Sequence, residues 1–144
     1  MAGDAPKRVD TAIVGATGYT ALELMKLLLR HPGARIAAVT SREAGQPPVS
    51  TLHPSLVRRL DLPCEAFDAD ALAKRVQCAF LALPHGAAAA AAAPLLERGV
   101  RVVDLSADYR LRDPNVYAEW YGASHLDTSR SEEHTSELQS PCNL

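Results

Sequence analysis

Gly15-Ala16-Thr17-Gly18-Tyr19-Thr20-Ala21 is the segment of this 144-residue chain whose spacing carries the most chemistry. Glycine at the first position permits a tight turn, and glycine at the fourth lets the backbone approach a diphosphate with no Cβ in the way. Ala21 takes the third small position, where a helix packs closely on a strand. A helix opening at Tyr19 adds free first-turn N–H groups and the positive end of its dipole, an anion site made of main chain alone. The same glycines also suit a plain strand-to-helix connection, so the flanking elements decide. No Gly-Lys-Ser/Thr follows the turn, which removes the support for a mononucleotide P-loop and for kinase or ATPase chemistry.

The elements around the turn are those a dinucleotide site needs. Thr11–Val14 is a short β-branched run ending at Gly15 and reads as a buried strand. From Tyr19 the period changes: Leu22, Met25, Leu28 and Leu29 fall at helical spacing, and His31-Pro32-Gly33 ends the helix. Ile36–Thr40 is a second apolar run, so the whole is a βαβ unit with parallel strands. Ser41–Pro54, with its Gly and Pro residues, predicts a long loop. Ser55–Leu60 suggests one or two helical turns, Leu62–Phe67 a marginal strand, and Asp68–Arg75 a short helix capped by Asp68 or Asp70. Ala79–Leu83 is an apolar strand closed by Pro84-His85-Gly86. The alanine run through Leu96 predicts a helix that only Pro94 spoils, Val100–Leu105 another strand, and Asp113-Pro114 a short aromatic-bearing helix. The expectation is an α/β fold: a Rossmann-like, doubly wound, mostly parallel sheet over residues 9–126. Residues 1–8 form an extension, and 127–144, polar and aperiodic, are expected to be a disordered, non-native tail.

With that context the glycine turn predicts a dinucleotide site built on Gly15, Ala16, Thr17, Gly18, Tyr19 and Thr20. The cofactor's 2′ end falls at the close of the second strand, where NAD sites carry an acid. Here Thr40 is followed by Ser41 and Arg42, a hydroxyl and a guanidinium suited to the extra phosphate of NADP(H). Glu43 argues the other way, and Arg42 also reads as a solvated loop charge. Pro84, His85 and Gly86 leave a strand at its carboxyl end, where ligands of open α/β sheets bind. His85 is equally a loop residue satisfied by its neighbours and receives no acid–base role.

Composition narrows the field. Hydrophobic residues are 47% and charged residues 22%, with a net charge of −2, so no cationic field draws the chain to nucleic acid. Pro84, His85 and Pro94 interrupt the longest apolar stretches before they reach membrane-spanning length, and Met1–Asp10 lacks a signal-peptide core. The three cysteines, Cys64, Cys78 and Cys142, have no metal-ligand or C-x-x-C spacing and an odd count. A cytoplasmic setting without metal is the expectation.

The motifs, taken in order, are more specific than the turn alone. Gly15-Ala-Thr-Gly-Tyr-Thr20, Leu22-Glu-Leu24, Leu27-Leu-Leu-Arg-His-Pro32, Thr40-Ser-Arg42, Leu81-Ala-Leu-Pro-His-Gly86, Val103-Asp-Leu-Ser-Ala-Asp-Tyr-Arg-Leu111 and Tyr117-Ala-Glu-Trp-Tyr-Gly122 follow one another. Together, from about Val9 to His125, they resemble the N-terminal, cofactor-binding half of the N-acetyl-gamma-glutamyl-phosphate reductase family, within the aspartate-semialdehyde dehydrogenase superfamily. Ala21 departs from the family's usual glycine.

The resemblance implies NADPH-dependent reduction of an acyl phosphate to a semialdehyde with release of phosphate, in arginine biosynthesis. It implies that Pro84, His85 and Gly86 line the nicotinamide side, and that Arg110, with Ser106 beside it, meets the substrate's phosphoryl group. In the family a cysteine in an Asn-Pro-Gly-Cys segment is the nucleophile, and a histidine moves the proton. No such segment occurs here. The expectation is therefore a cofactor-binding fragment with no catalytic residue, lacking the α+β catalytic domain through which the whole enzyme forms a homo-oligomer. The related reductase of carrier-bound aminoadipyl phosphate in lysine synthesis shares these motifs. A non-catalytic NADP-sensing module is the alternative from another class.

Overall fold

The computed structural model describes residues 7–106 together with Asp108, Asn115, Ala118 and Glu119. The proposed tail lies outside these residues, as does most of the aromatic-bearing helix, of which Asn115, Ala118 and Glu119 carry helical backbone. Across residues 7–106 the elements in order are β1 (Val9–Val14), α1 (Tyr19–Leu28), β2 (Ala34–Thr40), α2 (Val49–Leu52), a 3-10 turn (Pro54–Leu56), β3 (Cys64–Glu65), α3 (Ala69–Ala73), β4 (Cys78–Leu81), α4 (Ala88–Glu97) and β5 (Arg101–Asp104). The five strands form one sheet in the order β3-β2-β1-β4-β5, and every pairing is parallel. The doubly wound Rossmann-like expectation holds.

The strand period of two builds the layers. In β1, Ala12 and Val14 face α3 and α4, packing with Leu72, Ala88, Ala91, Ala92 and Leu95. Ile13, between them, faces the other way, onto Ala21 and Met25 of α1 and Val49 and Leu56 beyond β2. Each wholly buried Ile13, Met25, Leu81 or Leu95 contributes roughly 1.5–3 kcal/mol against the entropy of ordering. The alanine run supplies the second layer through size: Ala88, Ala91, Ala92 and Leu95 recur on one helical face and bring α4 close to the sheet. Pro94 does not end α4. The ring removes one N–H whose acceptor, on the preceding turn, is the carbonyl of exposed Ala90, which is open to solvent.

The middle of the chain is more ordered than a long loop. Within 41–54 the structure has α2, and its opening is fixed by contacts distant in sequence. Val49 N–H donates to the Leu62 carbonyl at 2.8 Å, and Cys64 N–H to that of Pro47 at 2.9 Å. The expected helical turns at 55–60 contract to the 3-10 turn and a hydrogen-bonded turn after it. The marginal strand shrinks to two residues paired with Val39 and Thr40. Of the two candidate caps, Asp68 caps α3, accepting from Ala71 N–H at 3.0 Å, while Asp70 pairs with Arg98 at 2.7 Å.

Candidate dinucleotide-binding site

β1 ends under the glycine turn. Gly15 sits at φ +94°, a left-handed conformation open chiefly to glycine. A Cβ there would fall 2.6 Å from the Ala82 carbonyl oxygen and 2.8 Å from Leu83 Cδ2, so the exit of β4 presses directly on the turn. The Thr40 carbonyl, at the end of β2, accepts from Gly15 N–H at 3.1 Å and Ala16 N–H at 2.8 Å. Three strand ends are thus tied around one turn.

Beyond Ala16 the main chain opens outward. Thr17, Gly18, Tyr19 and Thr20 are exposed, and a Cβ on Gly18 would meet nothing within 4 Å. Gly18 caps α1 without a side-chain hydrogen bond, and no acidic residue occupies the helix's first turn. The first-turn N–H groups therefore face an open, uncapped space at the positive end of α1. An anion fits there.

At the exit of β2, Ser41 N–H donates to the Glu65 carbonyl at 3.0 Å, and Ser41 Oγ accepts from Glu43 N–H at 3.1 Å. This small turn leaves Arg42 exposed, with no acidic partner among the described residues. At the exit of β4, Pro84 and His85 are exposed, and Gly86 turns the chain into α4 at φ +81°. Gly15–Thr20, Ser41, Arg42 and Pro84–Gly86 thus share the carboxyl edge of β1, β2 and β4.

Ser106 lies differently. It is buried after β5, its hydroxyl donating to Asp104 Oδ2 at 2.7 Å and accepting from Asp108 N–H at 3.0 Å. Asp108 is buried too, and its carboxylate accepts from Gly86 N–H at 2.8 and 3.0 Å and from Ala89 N–H at 3.3 Å. It caps α4, which has no cap of its own at Ala87. Arg110 lies outside the described residues.

Sequence reasoning missed two residues here, Asp108 and His53. Buried His53 follows α2 and sets Nε2 2.6 Å from the Ala16 carbonyl oxygen. A carbonyl only accepts, so Nε2 carries the hydrogen. The partners stand 37 residues apart, and no local pattern could have joined them. Neither described cysteine is poised as a nucleophile: burial pushes the thiols of Cys64 and Cys78 up, away from the thiolate. No cluster of metal-ligating side chains occurs, and no helix is long and apolar enough to cross a membrane, among the described residues.

A parallel sheet ordered β3-β2-β1-β4-β5, with the glycine turn where the winding reverses between β1 and β4, defines a Rossmann-type dinucleotide-binding domain. The family model for the semialdehyde dehydrogenase, NAD binding domain, matches residues 10–131, and the chain belongs to this family of dehydrogenases and reductases. The chain is 48% identical over 114 residues to the N-acetyl-gamma-glutamyl-phosphate reductase of Rhodopirellula baltica, covering 79% of this chain and 33% of that protein. To the LysW-L-2-aminoadipate/LysW-L-glutamate phosphate reductase of Saccharolobus solfataricus it is 43% identical over 118 residues, 82% of this chain and 34% of that one. The chain thus spans about a third of the length of these curated relatives. Its fold matches aspartate semialdehyde dehydrogenase from Candida albicans, solved with NADP, at a TM-score of 0.64 and 19% identity over 75% of this chain and 32% of that one.

Proposed function

We propose that this chain is the NADP(H)-binding part of a cytoplasmic N-acetyl-gamma-glutamyl-phosphate reductase, which turns N-acetyl-gamma-glutamyl phosphate into N-acetylglutamate semialdehyde and phosphate. The observation that carries the reading is the open space over Gly18, ringed by exposed main chain at the head of α1. The cofactor, when bound, supplies the hydride. The chain's own residues hold it: N–H groups of residues 17–20 take the diphosphate, and Ser41 and Arg42 take the 2′-phosphate. Pro84, His85 and Gly86 line the nicotinamide side. Arg110 meets the substrate's phosphoryl group, and Ser106 shapes the segment that carries it. The relatives' names support the substrate; none of the three cysteines is assigned the nucleophile's role.

The carrier-bound aminoadipyl phosphate substrate has its own support in the 43% identical reductase. It requires the same cofactor site, so one test serves both. Fluorescence titration of the purified chain should show NADPH binding about tenfold or more tighter than NADH, with Arg42→Ala removing most of that preference. Equal affinities for the two nucleotides would overturn the NADP(H) assignment.

A further inference from the structure

The proposed site depends on where a few main-chain N–H groups point, and one of them is aimed by a residue outside it. The Ala16–Thr17 peptide is trans, so its carbonyl and its N–H point in opposite directions. The carbonyl is turned inward, where it accepts from His53 Nε2 at 2.6 Å. The Thr17 N–H is therefore turned outward. Thr17 is exposed, and its N–H donates to no described residue. The two N–H groups before it are both spent on Thr40, so Thr17 is the first in the turn available to a ligand.

His53 is itself held firmly. Its N–H donates to the Val49 carbonyl at 2.9 Å, and its own carbonyl accepts from Leu56 N–H at 2.9 Å. Val49 and Leu56, on either side, are wholly buried against the layer that contains Ala16, Ala21 and Met25. Donation into the Ala16 carbonyl also polarises the peptide, making the Thr17 N–H a stronger donor on its far side.

We infer that His53 is a positioning residue for the cofactor: its Nε2–H fixes the plane of the 16–17 peptide so that the Thr17 N–H meets the diphosphate. This rests on the dinucleotide reading above. It gives the segment after α2 a task in binding, exerted through the Ala16 carbonyl.

The test compares wild type with His53→Ala, His53→Gln and His53→Asn, titrating NADPH and adenosine 2′-monophosphate, which has no diphosphate. His53→Ala should weaken NADPH about tenfold and leave adenosine 2′-monophosphate within about twofold. Glutamine, whose amide reaches the same carbonyl, should restore NADPH to within about threefold; asparagine, one carbon shorter, should not. Should the alanine variant fail to fold, the glutamine–asparagine pair decides. Variants that bind NADPH like wild type, or lose both ligands in equal measure, overturn the role of His53 alone. A wild-type chain that binds no dinucleotide overturns the site reading and the inference with it.

Discussion

At the scale of single residues, the two glycines of the turn do different work, and substitution separates them. At Gly15 an alanine meets a positive φ and a backbone carbonyl 2.6 Å from its Cβ. The left-handed conformation costs about 1–2 kcal/mol and the overpacking another 1–3. Gly15→Ala should therefore lose roughly 2–5 kcal/mol in urea denaturation, read as a lower midpoint at unchanged slope. Gly18→Ala should stay within about 1 kcal/mol of wild type, since its Cβ meets open space at a negative φ. Its methyl group would stand in the space proposed for the diphosphate, and NADPH affinity should fall about tenfold or more. A Gly18→Ala variant with intact affinity would show that the open space is not the anion's place. The tight turn at Gly15 was legible in the sequence, because the spacing of such a turn is local. His53 was not: a buried histidine donating to a carbonyl across 37 residues leaves no periodicity behind.

At the scale of elements, legibility follows how much of an element's stability is local. β1, α1, β2, β4, α4 and β5 all stand out from runs of apolar residues punctuated by Gly or Pro, and each was found within a few residues. The four residues of α2 have too little local preference to be seen, and β3 shows only as the marginal strand at 62–67, because their hydrogen bonds are drawn from one another and from β2. The capping of α4 was hidden for the same reason, since Asp108 lies C-terminal to the helix it caps. Asp108→Ala would leave the N–H groups of half-buried Gly86 and buried Ala89 without that acceptor, at a cost of about 1–3 kcal/mol in urea denaturation. Asp108→Asn retains one acceptor and should fall between alanine and wild type; an alanine variant as stable as wild type would refute the capping role. The β1–β2 seam adds a pH-dependent contact. Asp10 and Arg35 face each other in register, and hydrogen bonds from Arg35 hold the Asp10 carboxyl below the usual carboxylate range, against the opposing effect of burial. A depressed carboxyl contributes stability above its unfolded pKa of about 3.9 and loses it as pH falls through the folded value. Asp10→Asn should accordingly lower the urea midpoint slightly at pH 7, with the gap to wild type closing below about pH 4. A gap that persists or widens in acid would assign the contact's effect to something other than ionisation.

For the molecule as a whole, the layers converge on one crevice. β1 and β4 lie inside the sheet, β1 with both faces covered and β4 with Ala79 and Leu81 buried under the α4 layer, and the turn that leaves β1 is braced by the exits of β2 and β4. A nucleotide bound at the proposed site would engage three strand ends at once, so the free energy of binding should appear in the cooperative unfolding of the whole domain. A ligand that binds only the folded state at one hundred times its Kd adds about 2.7 kcal/mol. For a domain of this size that is a rise in Tm on the order of 10 °C, measured by calorimetry with and without NADPH. The rise should grow with the logarithm of nucleotide concentration, and Gly18→Ala should suppress it while leaving the unliganded Tm nearly unchanged. Hydrogen exchange locates the effect: with nucleotide, protection should increase first at residues 17–20 and at 84–86. The central strands β1 and β4 should be the slowest to exchange in either state, since their opening requires the whole sheet to come apart. If Tm rises while protection appears only at the distant edge, around Arg35 and Arg75, the nucleotide occupies another surface, and the crevice at the strand ends has a different purpose.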